Sequence, residues 1–194
     1  MKKRLHITNN APVVLGFVAL CGVVLLADIL TGGLTTNAFF MTYRYSFKSP
    51  LMYIRLFTHV LGHAGWAHFI GNMSYILLLG PMLEEKYGGK RLIQVIVVTA
   101  LVTGVINNVF FPNVALCGAS GVVFAFILLA SFTSFKEGEI PLTFLLVAAI
   151  YLGQQIHDGL TVDDNISNMA HIFGGIVGSV CGYQLNKRSR RVVK

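Results

Sequence analysis

Long apolar runs alternate along this chain with short charged ones. Ala11 to Leu30 is apolar except for Asp28 near its end, and meets the roughly 20 residues that a helix needs to cross a bilayer core. Its Lys2-Lys3-Arg4 flank is like a signal-peptide n-region, but the run is long and no small-x-small cleavage site follows, so a retained anchor is expected. Residues 31–66 are mixed, carry Arg44, Lys48, Arg55 and several aromatics, and read as a long interfacial loop. Ala67 to Leu83 is a second run, holding His68, Asn72 and Ser74, and it closes at the charged segment Glu84 to Arg91. From Leu92 to Phe135, 44 residues pass without Asp, Glu, Lys or Arg, enough for helices near 92–110 and 119–135 on either side of a turn at Phe111-Pro112-Asn113. Ile140 to Ile156 makes a fifth run, the acidic segment Asp158 to Asp164 follows, and Asn168 to Leu185 makes a sixth. The pattern predicts an all-α fold, a polytopic membrane bundle of six transmembrane helices over 11–186. Residues 1–10 and the basic tail 187–194 flank it.

Composition excludes a soluble domain: 55% of the chain is apolar, 12% is charged and mean hydropathy is +0.69, whereas soluble domains carry about a quarter of their residues as charges. The net charge of +7 does not point to nucleic acid, which needs a basic face on a folded polar surface. Here the bases fall in clusters between apolar runs, so the expected surroundings are the lipid bilayer. With six spans, 12 of the 15 bases lie on the side of the termini and three lie in the 31–66 loop. The positive-inside rule then predicts cytoplasmic termini. Cys21, Cys117 and Cys181 have no metal-type pair spacing and imply no disulfide framework; they read as small packing residues.

Polar groups inside spans are costly and mark candidate sites. His59, His63, His68, His157 and His171, with Asn72, Ser120 and Asn168, all fall near the outer half of the membrane by this topology. His68 and Asn72 are four residues apart, so on a helix they share a face and can aim two donors at one point. The same spacing also suits hydrogen bonds between helices. Ser120 lies between Gly118 and Gly121 at the start of a helix, which leaves its hydroxyl unobstructed beside backbone N–H groups, an arrangement suited to oxyanion binding and equally to close packing. Ala170, Gly174, Gly178 and Gly182 recur every four residues as a small-residue stripe, with His171 beside its top. A serine needs an adjacent base, and a neutral imidazole at similar depth is the usual one. The residues therefore suggest a Ser120–His171 pair without a third carboxylate, Asn168 being the nearer polar partner.

His63-x4-His68-x3-Asn72, Gly118-x-Ser120-Gly121 and Ala170-His171-x-x-Gly174, in this order on the second, fourth and sixth runs, resemble the rhomboid intramembrane serine proteases. Arg55 with Phe57-Thr58-His59, and Glu84 with Gly88, resemble them too, so the likeness spans about Arg55 to Gly182. The resemblance implies Ser120 as nucleophile and His171 as general base. It implies an oxyanion hole of His68, Asn72 and the Ser120 backbone N–H, with His63 and His59 shaping the site and 31–66 as a membrane-embedded first loop. It further implies the minimal bacterial six-helix form in the inner membrane, a site opening to the outer side, transmembrane proteins as substrates, and no cofactor or metal. Many members carry tyrosine where this chain has Phe124, and tryptophan where it has Ile54.

Two other classes compete. His59 and His63 have the i, i+4 spacing of a zinc-protease helix, but Val60 follows His59 where the motif requires glutamate. A membrane binder or small transporter would also gather polar residues in a cavity. Transporters tend to show internal repeats, and none is evident between 11–91 and 92–186. The natural substrate and the oligomeric state leave no signature in the sequence.

Overall fold

In the computed structural model the described residues are 8–43, 46, 48–111, 113–134, 140, 142–161 and 168–192. Side chains are described at all of these except 151–152, 154–161, 168–169 and 187–192. The described chain is all-helical: α1 (Pro12–Leu30), α2 (Leu34–Phe39), α3 (Pro50–Thr58), α4 (Trp66–Tyr87), α5 (Gly89–Phe110), α6 (Ser120–Ser131), α7 (Leu142–Thr161) and α8 (Asn168–Val192). Each predicted apolar run is a helix. α4, α7 and α8 run on past the predicted limits, to Tyr87, Thr161 and Val192, α5 begins earlier, at Gly89, and α6 ends earlier, at Ser131. Among the described residues, α1 and α5 are long and apolar enough to cross a bilayer by length and composition alone. α6 is apolar but has only 12 residues, about 18 Å at 1.5 Å per residue.

The 31–66 loop holds two short helices fixed by buried polar contacts. Asp28, the one acid of the first run, accepts the Thr36 N–H at 2.7 Å and so satisfies a free donor in the first turn of α2. Arg55 on α3 is buried; its Nε and Nη2 donate to the Ala38 carbonyl at 2.9 and 2.7 Å, and its guanidinium lies 4.8 Å from the Tyr43 ring centroid. The carbonyls at a helix end lack intrahelical partners, and a cation there also opposes the helix dipole. One arginine thus locks α3 against the end of α2. Thr42 then pairs with Leu116 in a single antiparallel bridge, N–H to carbonyl at 2.9 and 2.8 Å, which joins this loop to the segment before Ser120.

At the opposite end, Glu84 is buried and its two carboxylate oxygens accept the N–H groups of Val13 and Val14, both at 3.0 Å. α1 has no side-chain cap of its own, so a residue some 70 positions away supplies it. The core between these ends is apolar, built on Ile76, Leu83, Leu92, Val122, Phe126 and Leu129. The predicted small-residue stripe of α8 packs on α6. A Cβ at Gly174 would fall on the Gly121 carbonyl, one at Gly178 on the Ala125 backbone, and one at Gly182 within 2.8 Å of the Phe132 ring. Close backbone approach is what places the start of α8 beside the start of α6.

Candidate active site

Ser120 is the first residue of α6, reached through Gly118 at φ +119° and Ala119 at φ −80°. Glycine is required at 118 on two counts. Its φ lies where L side chains are strained, and a Cβ there would stand 2.6 Å from the His68 ring. The Gly118 N–H donates to the His59 carbonyl at 2.9 Å, which ties the turn to the end of α3.

That close approach brings His68 and Asn72, the i, i+4 pair of α4, against the turn before the serine. The Ala64 N–H donates to His68 Nδ1 at 3.5 Å, which leaves the proton of the neutral ring on Nε2. Nε2 is one of the ring atoms nearest Gly118, so a donor faces the turn. Asn72 is 7% exposed and its Nδ2 has no hydrogen-bond partner among the described residues. A buried, unpaired donor costs free energy unless a ligand satisfies it.

His171, the fourth residue of α8, follows Ala170, whose carbonyl lies 3.4 Å from where a Cβ of Gly121 would be. The Phe124 ring packs on the His171 imidazole at 4.6 Å between centroids, tilted by 39°. Phe124 is one turn after Ser120, which sets its ring between the start of α6 and His171. Ser120, His171, His68 and Asn72 all line a single cavity of about 780 Å³, together with Phe124.

His63 and His59 lie outside that lining. His63 is buried, donates from Nδ1 to the Leu61 carbonyl at 3.2 Å, and meets the His68 ring edge-on at 5.2 Å. Burial, and then the neighbouring His68, push its pKa down to about 4, so it is neutral near pH 7. His59 donates from Nδ1 to the Arg55 carbonyl at 3.1 Å, with Nε2 3.3 Å from the Thr103 hydroxyl. Burial likewise pushes it to about 4. Gly121 and Gly174 meet at the α6–α8 contact. The side chain of Asn168 falls outside the described residues.

A model of the Rhomboid domain matches residues 50–188, most of the chain. The chain belongs to the rhomboid family. It is 27% identical over 183 residues to the rhomboid protease GlpG of Haemophilus influenzae, covering 91% of this chain and 92% of that protein. It is 31% identical over 157 residues to Rhomboid-related protein 2 of Mus musculus, covering 70% of this chain and 52% of that protein. Against the GlpG of Yersinia pestis it is 24% identical over 191 residues, covering 96% and 67%. This rhomboid is therefore an intramembrane serine endopeptidase by family.

The cavity of this rhomboid also takes residues that no motif marks. Met41 comes from the first loop, Leu116 and Cys117 from the segment before the serine, and Gly71 and Tyr75 from α4. Cys21 is a buried packing residue as expected, but Cys117 is only partly buried and borders the cavity. Spacing along one helix would have found Gly71 and Tyr75, which share a face with Ala67. Nothing in the sequence relates Met41 to Ser120, because the Thr42–Leu116 bridge that brings them together is a tertiary contact.

Proposed function

We propose that this rhomboid cleaves peptide bonds in or next to transmembrane segments of other membrane proteins, with Ser120 as nucleophile and His171 as base. The Ser120 oxygen attacks the scissile carbonyl carbon while its proton passes to the imidazole, and the carbonyl oxygen gains the negative charge. His68 Nε2–H, Asn72 Nδ2–H and the Ser120 backbone N–H would take up that charge. The protonated imidazole then gives its proton to the leaving amine, and water, deprotonated by the same ring, releases the acyl group. The single observation that carries this reading is the buried Nδ2 of Asn72, without a partner among the described residues, in the cavity that Ser120 and His171 share. That atom has the character of an oxyanion donor without its oxyanion.

The reading includes six transmembrane helices (α1, α4 to α8), with both termini cytoplasmic in a bacterial inner membrane. Residues 1–10, 11–186 and 187–194 would be the N-terminus, the membrane domain and the tail. In that frame α6 and its following turn rise about 24 Å from the cytoplasmic side of a core about 30 Å thick. Ser120 would then sit roughly 5–10 Å below the outer boundary, where a substrate helix must unwind locally to expose a carbonyl. His63 and His59 would support the site through the His68 ring and the α3 turn. Asn168 would join from the start of α8.

The test is cleavage of a panel of single-span substrates by the purified chain, alongside labelling by a serine-directed fluorophosphonate. Chelator-insensitive cleavage that disappears in Ser120→Ala and in His171→Ala is expected, with labelling lost in Ser120→Ala. Full turnover by His171→Ala would overturn the pair.

A further inference from the structure

Two neighbouring asparagines near the end of α5 tie down the segment that leads to Ser120. Asn107 does so directly, its Nδ2 donating to the Val114 carbonyl at 2.8 Å. Asn108 acts at one remove: its Nδ2 donates to the Thr42 hydroxyl at 2.8 Å, and the backbone of Thr42 pairs in both directions with Leu116. Thr42 is fully buried and Asn108 nearly so, which shields their bond from water. Asn108 Nδ2 also donates to the Gly104 carbonyl at 3.0 Å, one turn back on α5. Gly104 in turn packs on α3, where a Cβ would stand 3.0 Å from the Leu56 carbonyl. The amide that holds Thr42 is thus fixed to a helix that is itself held in place.

The Thr42–Leu116 bridge needs such a tether. It is isolated, with two hydrogen bonds and no flanking strand among the described residues, and strand pairing on that scale is marginal by itself. Its position matters for the site, because Met41 precedes Thr42, Cys117 follows Leu116, and Met41, Leu116 and Cys117 line the cavity with Ser120. Leu116 also stands four positions before Ser120. We infer that Asn108 is a positioning residue for the Ser120 site: by holding the Thr42 hydroxyl it fixes the bridge to α5, and with it this cavity wall and the turn that presents the nucleophile. The inference rests on the protease reading above. Asn108 lies outside the cavity lining, so its effect reaches the reaction through the backbones of Thr42 and Leu116. A displacement of about 1 Å at the reacting groups costs on the order of 100-fold in rate.

The experiment measures kcat and KM on one single-span substrate in lipid bilayers for wild type, Thr42→Val, Thr42→Ser, Asn108→Leu and the Thr42→Val/Asn108→Leu double variant. Enzyme is counted as Ser120 titrated to completion by fluorophosphonate, so that loss of folded protein does not enter kcat. Thr42→Val keeps the shape of the side chain and removes only the hydroxyl; it and Asn108→Leu are expected to lower kcat by about 10- to 100-fold, with KM changed little. Thr42→Ser, which keeps the hydroxyl, should stay within a few-fold of wild type. The double variant should be no slower than the slower single one, as for one shared interaction. If Asn108→Leu does not fold, the comparison of Thr42→Val with Thr42→Ser decides alone. Wild-type kcat in Thr42→Val with only a lower melting temperature, Thr42→Ser as slow as Thr42→Val, or losses that multiply in the double variant would overturn the inference. Absence of any Ser120-dependent cleavage or labelling in wild type would instead remove the protease reading itself.

Discussion

At Gly118 two demands meet on one Cα: a positive φ shortly before Ser120, and contact with an imidazole that leaves no room for a methyl group. The second demand matters more for chemistry, since it sets His68 and Asn72 against the Ser120 turn. Asn72 Nδ2 is buried and has no partner among the described residues, so on the proposed mechanism the interaction it makes would belong to the charged intermediate more than to the bound substrate. Asn72→Ala is therefore expected to lower kcat by about 10²- to 10³-fold, as for a single oxyanion donor, with KM changed little. Steady-state kinetics on one cleaved substrate would show it, and a kcat within a few-fold of wild type would take Asn72 out of the oxyanion hole. The motif residues were legible in the sequence because each is defined locally, by a four-residue spacing or by flanking glycines. The role of Cys117 was not, because its place on the cavity wall depends on how the turn is held.

Helices in this chain are completed by distant side chains. Glu84 at the end of α4 caps α1, Asp28 at the end of α1 caps α2, and Arg55 on α3 binds the carbonyls that end α2. In the sequence Asp28 is the one acid of the first run, Arg55 lies in the mixed loop and Glu84 closes the second run, and none of them is marked as a cap. Glu84→Ala would strand two N–H groups that are partly or wholly buried. Hydrogen bonds to a charged group contribute about 1.5–3 kcal/mol, so the variant should unfold several degrees below wild type in thermal melts of the solubilised protein, with Glu84→Gln between the two. Equal melting temperatures would mean that water replaces the carboxylate at no cost. The α6–α8 contact was the more legible element feature. A four-residue stripe of small residues says that backbones come close, although only the structure says that Gly121 and Ala125 are the partners.

Over the whole molecule, chemistry and charge are segregated to opposite ends. α4 runs from His68 by the cavity to Glu84 and Lys86, about 25 Å away along its axis. At that far end Tyr87 bonds Asn186 at 3.4 Å, Asn186 bonds the Phe132 carbonyl, and Lys86 bonds the Thr133 carbonyl. The ends of α4, α6 and the span part of α8 therefore meet where the charged segments begin. By the six-span reading this end holds twelve bases and four acids, a net +8, and the other holds three bases and four acids, a net −1, which together give the chain's +7. A fluorescent protein fused after Lys194 should then fluoresce in the cytoplasm, and alkaline phosphatase inserted near residue 163 should be active outside it. The reverse pattern would overturn the orientation.

The sequence by itself determined where the long helices form, though not α2 and α3 within the first loop, and where the bases cluster, since apolar runs and charge clustering act along the chain. It also determined the identities of the polar residues within the runs, which are few because each is costly in hydrocarbon. The tertiary structure decided what those residues do together. Ser120, His68 with Asn72, and His171 stand on three helices whose mutual distances depend on close contacts at Gly118, Gly121 and Gly174. Those contacts are steric facts between segments far apart in sequence, and although the stripe on α8 shows that a backbone comes close there, no local pattern names the partner it meets.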